Sequence, residues 1–302
     1  MDNLAEAFLK LNREDFSVLG SIEAGMKDHE WVPIPEIARN SGLPLRKVDY
    51  RLRLLSEQKL VTRTTFHYEG YRIDFDAYDL LALSDLVKRD FVTSIGDKIG
   101  VGKESVIFEA LGEIPLAIKF HRQGRTSFKH VRRARDHLTD LPRLPWLHAA
   151  SLAARHEFQV MKRLYPQVTV PIPVALSRHA IAMEHVFGDQ LSRVVLSNPL
   201  DCFEMILEEM GKAYSLGIVH ADLSEFNVMI TEEGLKIIDW PQAVDLSHVN
   251  SQELLKRDLT NILRFFARRY KIELPLEEAL SRVVAGHSAG LEAEPPREAV
   301  LK

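Results

Sequence analysis

The chain has 302 residues, 46% of them apolar and 27% charged, which is the composition of a soluble globular protein with room for about two domains. A formal net charge of −4 excludes a uniformly basic nucleic-acid coat, so any nucleic-acid contact must come from a local patch. Cys202 is the single cysteine, which excludes disulfides and cysteine-based metal sites; no apolar run reaches the length of a membrane span, and the polar opening Met1-Asp2-Asn3-Leu4 carries no signal-peptide pattern, so no membrane association and a cytoplasmic location are expected.

In chain order, Ala5, Phe8, Leu9, Phe16, Val18, Leu19, Ile22 and Met26 recur at helical spacing and predict two opening helices. A short helix over 35–40 is closed by Ser41-Gly42-Leu43-Pro44, with glycine at the helix end and proline opening the next. That next helix, 45–59, carries Val48, Leu52 and Leu55 on one stripe and leaves Arg46, Lys47, Tyr50, Arg51 and Arg53 facing elsewhere, as in a recognition helix. Segments 60–65 and 68–73 alternate as two strands around His67, Glu69 and Gly70. Helices, turn, basic helix and wing together predict a winged helix-turn-helix over 1–84, a module that can enter a groove of nucleic acid or dock a protein. Its last segment, 74–88, begins acidic, turns helical and is expected to be a connector.

A second domain is predicted over 85–285. A strand over 91–100 leads into a glycine-rich turn over 99–106 that contains Gly100, Gly102, Lys103 and Ser105, and a second strand follows over 106–110. Glycines at 100 and 102 let backbone N–H groups approach phosphates. Glu104 after Lys103 and a following strand exclude a Walker A loop; the segment resembles a kinase nucleotide loop lacking its last glycine. Leu116-Ala117-Ile118-Lys119-Phe120 matches the kinase V-A-I-K strand, whose lysine reaches the α and β phosphates. A helix over 151–164, with Leu152, Phe158, Met161 and Leu164 as its apolar stripe, offers Glu157 as the partner of Lys119. Between them lies an insertion, 121–148, rich in arginine and histidine: a solvated loop, or a cover for phosphate or RNA backbone. Segments 168–175 and 180–184 read as the last strands of a five-stranded sheet. Met183 then falls at the back of an adenine pocket, and the Glu184 carbonyl and Val186 amide face the adenine edge.

A buried central helix over 202–216 leads to the most informative stretch, 219–240, V-H-A-D-L-S-E-F-N-V-M-I-T-E-E-G-L-K-I-I-D-W. Apolar runs 228–230 and 235–238, separated by Glu232-Glu233-Gly234, predict a β-hairpin whose outer ends bring Asn227 and Asp239 together. Two oxygen ligands so placed suit a hard cation such as Mg²⁺, with Mn²⁺ as a substitute. Asp222 lies upstream, where a carboxylate can orient a nucleophile, and His220 can brace the loop by hydrogen bonding. The H-x-D-x-x-x-x-N, strand, turn, strand, D order is that of kinase-like phosphotransferases. Helices over 254–270 and 276–284 close the domain, and 286–302 is expected to be a loose tail. The fold class is therefore α+β: a bilobal kinase-like domain, with a small antiparallel-sheet lobe at about 91–187 and a helical lobe at about 188–285, preceded by the winged helix.

Ordinary protein kinases follow the metal aspartate with Phe-Gly and later an A-P-E motif; here Trp240-Pro241 follows and no A-P-E occurs. G-V-G-K-E-S, H-A-D-L-S-E-F-N and I-D-W-P, with the basic insertion and the winged helix, resemble the RIO family of atypical serine/threonine kinases, specifically the subfamily with that N-terminal domain and, lacking a long C-terminal extension, its archaeal type. The resemblance implies that Ser105 and Lys119 contact ATP phosphates, that Glu157 pairs with Lys119, that Asp222 is the catalytic aspartate, and that Asn227 and Asp239 hold Mg²⁺. It further implies an ATPase or kinase acting on the small ribosomal subunit precursor and its rRNA alongside assembly proteins, with an aspartyl-phosphate on Asp239 and serine autophosphorylation. Two rival readings are a small-molecule phosphotransferase of the aminoglycoside or choline kinase type, suggested by I-I-D-W, and a nucleotide-sensing winged-helix regulator. Intact Lys119, Asp222, Asn227 and Asp239 argue against the latter.

Overall fold

The computed structural model describes residues 3–122 and 146–290 and divides into two compact units, one of residues 1–155 with 174–183, the other of 156–173 with 184–302. Most of the basic insertion and the end of the expected tail lie outside the described residues.

The first unit opens with α1 (Leu4–Leu9), capped by the Asn3 side chain, and α2 (Arg13–Gly25), whose Asn12 and Asp15 form a reciprocal capping box. The two-residue strand β1 (Val32–Pro33) precedes α3 (Ile34–Ser41), which ends at Gly42 with φ +68°, a left-handed stop suited to glycine. In α4 (Leu45–Glu57) the stripe Val48, Leu52 and Leu55 is fully buried, as its spacing requires. Strands β2 (Val61–Thr64) and β3 (Gly70–Ile73) pair antiparallel from Val61↔Ile73 to Thr64↔Gly70, and β1 adds to β3 to complete the wing. Gly70 is fixed by its surroundings: a Cβ there would lie 2.8 Å from the Cβ of Trp31.

The predicted connector is instead a core helix. In α5 (Phe75–Lys88) Ala77, Leu80, Ala82 and Leu86 are fully buried, and Asp79 and Ser84 are buried with them. The segment is apolar around most of its circumference, the mark of a helix enclosed on several sides.

A five-stranded sheet completes this unit. Strands β4 (Ser94–Val101), β5 (Ser105–Leu111) and β6 (Pro115–His121) run in sequence. The helix α6 (Trp146–Leu164) comes next and continues into the second unit. Strands β7 (Pro173–Ser177) and β8 (Ala180–Glu184) give the order β4-β5-β6-β8-β7. Helix α6 begins ahead of its expected start at 151, and its buried face is Ala150, Ala154, Glu157, Met161 and Leu164, whereas Leu152, expected on that stripe, is 38% exposed. The strand expected over 168–175 starts only at Pro173. Pro171 and Pro173 lack ladder donors, and the Thr169 amide donates to the buried carboxylate of Glu209.

The second unit is mainly helical. Strand β9 (Asp189–Gln190) precedes α7 (Pro199–Ser215), which Asn198 caps. Then come β10 (Ile218–Val219), β11 (Val228–Thr231), β12 (Gly234–Ile237) and β13 (Val244–Asp245), and finally α8 (Ser251–Tyr270) and α9 (Leu276–Gly290). Helix α9 runs past the expected tail boundary at 286. No helix among the described residues is long and apolar enough to cross a membrane.

Candidate active site

The β11–β12 hairpin forms as its sequence requires, with Val228↔Ile237 and Thr231↔Gly234 in register and Glu232-Glu233 as the two-residue loop. The Ile238 amide then donates to the Asn227 carbonyl at 2.9 Å, so Asn227 and Asp239 leave the hairpin side by side. The Asn227 Nδ2 donates to the Asp222 carbonyl at 2.9 Å. This bond turns the amide so that Oδ1 is the oxygen left for a cation.

Asp222 and Asp239 are both exposed, Asp222 between two buried neighbours and Asp239 between half-buried Ile238 and buried Trp240. Asp222 lies between Ala221 at 5% and Leu223 at 1% exposure, and Trp240 after Asp239 is at 1%. His220 braces the loop from two sides: its Nδ1 accepts from the Asp222 amide at 3.3 Å and its Nε2 donates to the Ile238 carbonyl at 3.1 Å. Its ring lies 4.4 Å from that of Trp240. The Trp240 indole N–H donates to the Ile237 carbonyl at 3.0 Å, and the Trp240 amide donates to Glu157 Oε1 at 3.0 Å. Within its own unit, buried Glu157 therefore holds the peptide that follows Asp239. Lys119, its expected partner, belongs to the other unit.

The strongest grip on the loop comes from residues not singled out in the sequence. Asp258, fully buried on α8, accepts the amides of Ala221 at 2.7 Å and Leu223 at 3.0 Å, one on each side of Asp222. Arg257 donates to the Ala221 carbonyl and Asn261 to the Leu223 carbonyl. Burial pushes the Asp258 carboxyl up to about 7, against the opposing pull of the two amides and Arg257. A signal was present in the sequence: Asp258 falls at helical spacing among Leu255, Leu259 and Ile262, a carboxylate on an apolar stripe.

In the first unit, Lys119 sits on β6 opposite Ile107, with the lysine itself 3% exposed and Ile118 and Phe120 fully buried on either side. The loop before β5 is tight: the Gly102 amide donates to the Ser105 carbonyl at 2.8 Å, and Val101 pairs with Val106. Gly100 lies inside β4 opposite Ile107, so the turn spans fewer residues than the 99–106 expected. A Cβ on Gly100 would come no closer than 3.5 Å to Ile107, and one on Gly102 no closer than 3.5 Å to Ser105, ordinary contacts. Packing among the described residues does not demand glycine at either place, and the missing side chains leave the backbone there open to close approach. Lys103 is exposed at the loop tip and Ser105 is half-buried. Half-buried Met183 precedes Glu184, the last residue of β8, whose amide donates to the Ile172 carbonyl and whose carboxylate accepts from the Ile172 amide at 3.0 Å and from Lys236 at 2.7 Å. Val186 follows, half-buried.

Among the described residues no group of three or more His, Cys, Asp or Glu gathers to hold a metal. A cation on Asn227 and Asp239 would complete its shell with phosphate oxygens and water, which fits Mg²⁺ and not a protein-caged metal. On the winged helix, the cations of α4 are largely engaged: Lys47 and Arg51 share Glu14 at 2.8 Å each, and Arg53 pairs with Asp49.

A strand lysine behind a glycine loop, an aspartate fixed by its neighbours, and an Asn/Asp pair across a hairpin define a phosphotransferase of the protein-kinase class. The family model described as RIO domain matches residues 106–279, and the one described as Rio2, N-terminal, matches residues 8–89. The chain belongs to the RIO family of serine/threonine-protein kinases and carries the N-terminal domain of the Rio2 type. It is 41% identical over 257 residues to the RIO-type serine/threonine-protein kinase Rio2 of Methanocaldococcus jannaschii, covering 82% of this chain and 94% of that one. It is 35% identical to the serine/threonine-protein kinase RIO2 of Saccharomyces cerevisiae, covering 87% of this chain but 65% of the yeast protein. Among solved structures, the Rio2 kinase of Chaetomium thermophilum in an ADP/Mg²⁺-phosphoaspartate complex is similar, with TM-score 0.79 and 32% identity over 94% of this chain and 92% of that one.

Proposed function

We propose that this chain is an ATP- and Mg²⁺-dependent phosphotransferase whose turnover serves maturation of the small ribosomal subunit in the cytoplasm, with the precursor subunit and its rRNA as partners. The observation that carries the chemistry is the placement of Asp222: an exposed carboxylate whose two neighbouring peptides are both fastened to buried Asp258. Such fastening holds a catalytic group in place without obstructing it.

In this reading Lys119, Ser105 and the amides of residues 100–105 meet the phosphates, and Met183, Glu184 and Val186 meet the base. Asn227 and Asp239 would hold Mg²⁺, or Mn²⁺ in its place; when bound, the ion neutralises charge on the phosphate oxygens. The similar Chaetomium protein was solved as a phosphoaspartate complex. By analogy, an oxygen of Asp239 attacks the γ-phosphorus, the bond to the β–γ bridging oxygen breaks and ADP leaves with that electron pair. Water then hydrolyses the acyl phosphate to inorganic phosphate and the free carboxylate. Serine autophosphorylation is the alternative fate of the same phosphoryl group. The winged helix supplies the rRNA contact, for which Lys47 and Arg51 must exchange Glu14 for phosphate.

The test is ATP turnover with Mg²⁺, with and without purified small ribosomal subunits, following free phosphate and acid-labile label on the protein. Stimulation by subunits, with label lost in Asp239→Ala, is expected. Turnover indifferent to subunits but switched on by a small alcohol or amine would overturn the ribosomal assignment in favour of a small-molecule kinase.

A further inference from the structure

We propose that Arg122 is a positioning residue that ties the nucleotide loop to helix α5, so that the seating of α5 sets how tightly the loop holds ATP phosphates. The proposal rests on the reading of residues 100–105 as the loop that meets those phosphates.

Arg122 directly follows β6, and its backbone and side chain face two different elements. Its amide donates to the carbonyl of Glu104 at 2.6 Å, and Glu104 stands in the loop between Lys103 and Ser105. Its guanidinium hydrogen-bonds Asp79, lies 3.9 Å from Asp76, and sits over the Phe75 ring at 4.9 Å. These three residues all belong to α5. One residue thus fastens the loop by its main chain and the helix by its side chain, with no flexible linker between the two attachments.

The side-chain attachment is a demanding one. Asp79 is 1% exposed, and its other oxygen accepts from Nε2 of fully buried His179 at 2.8 Å. His179 stacks on Tyr78 at 4.4 Å, and burial holds its pKa below the ordinary value, so near neutral pH it contributes a hydrogen bond and no charge. Arg122 is then the cation that balances the buried Asp79 carboxylate, and separating the two would strand that charge. Arg122 is consequently held wherever α5 holds Asp79, and the Glu104 carbonyl is held with it.

The full-length chain, Arg122→Met and Val48→Ala are to be compared by hydrogen exchange over residues 100–106 without nucleotide, and by KM and kcat for Mg-ATP. Val48→Ala is the control for general loosening: it thins the fully buried stripe of α4, which packs on α2, α3 and β2 in the same unit. In Arg122→Met, exchange over 100–106 is expected to accelerate and KM to rise roughly tenfold, the coupling typical of one hydrogen-bonded network. The kcat should stay within about twofold and Val48→Ala should reproduce neither change. If Arg122→Met does not fold, Asp79→Asn, which removes the charge and one of the two acceptor oxygens, is expected to give the same pattern. Unchanged exchange overturns the tie; faster exchange with unchanged KM overturns its effect on ATP; an equal effect in Val48→Ala overturns its specificity. A wild-type chain that neither binds nor turns over ATP overturns the nucleotide reading and the proposal with it.

Discussion

At the residue scale, two backbone torsions mark the reactive loop: Ala221 has φ +64° and Asp239 φ +70°, left-handed conformations that a side chain rarely adopts. Each costs on the order of 1–2 kcal/mol and persists only where the surroundings over-determine it. They do so here. Ala221 is bonded at both its amide and its carbonyl, by Asp258 and Arg257, and the peptides flanking Asp239 are bonded by His220 and Glu157. Asp258 also makes stability depend on pH. Its folded pKa, about 7, lies above the ordinary carboxylate value, so the folded chain binds a proton that the unfolded chain releases. Its contribution is full below a pH of about 4 and is lost as pH rises to about 7. Melting temperatures measured across that window should fall for the wild type relative to Asp258→Asn, which cannot titrate. Parallel curves would show that Asp258 is ionised throughout.

At the element scale, α8 acts as a clamp and α5 as a core strut. Asn261 takes the Leu223 carbonyl from one turn beyond Asp258, so Asn261→Ala should loosen the loop after Asp222. The expected outcome is kcat lowered roughly tenfold with KM for ATP unchanged, in steady-state kinetics, as for loss of one positioning hydrogen bond. Fully buried Leu80 on α5 offers a separate test: Leu80→Ala should cost about 2–5 kcal/mol by denaturant unfolding, whereas a mere connector would lose under about 0.5. Elements set by short-range pattern were legible in the sequence: the Val48/Leu52/Leu55 stripe of α4, and the hairpin that brings Asn227 to Asp239, which needs only two short strands and a turn. The role of α5 was not, because enclosure by distant segments decides whether an apolar helix is a linker or a core. Strand β1 is too short to show a period. The grip of Asp258 depends on pairings 35 and 37 residues away with backbone amides, which leave no trace in side-chain identity; the one legible sign is a carboxylate on an apolar stripe.

At the scale of the whole molecule, the chemistry is divided between two units. One contributes Lys119 and the tight loop of Gly102 to Ser105, and the other contributes Asp222, Asn227, Asp239 and the residues that hold them. Under the proposed function, binding of nucleotide and its turnover should separate by mutation, because Asp222 would be required only when the nucleophile is oriented. The most direct measurement is therefore ATP affinity and ATP turnover, on the same preparation of Asp222→Ala and wild type. ATP affinity is expected within about twofold of wild type, with turnover reduced by roughly a hundredfold to ten-thousandfold. Turnover retained at the wild-type level in Asp222→Ala would contradict the proposed role of Asp222.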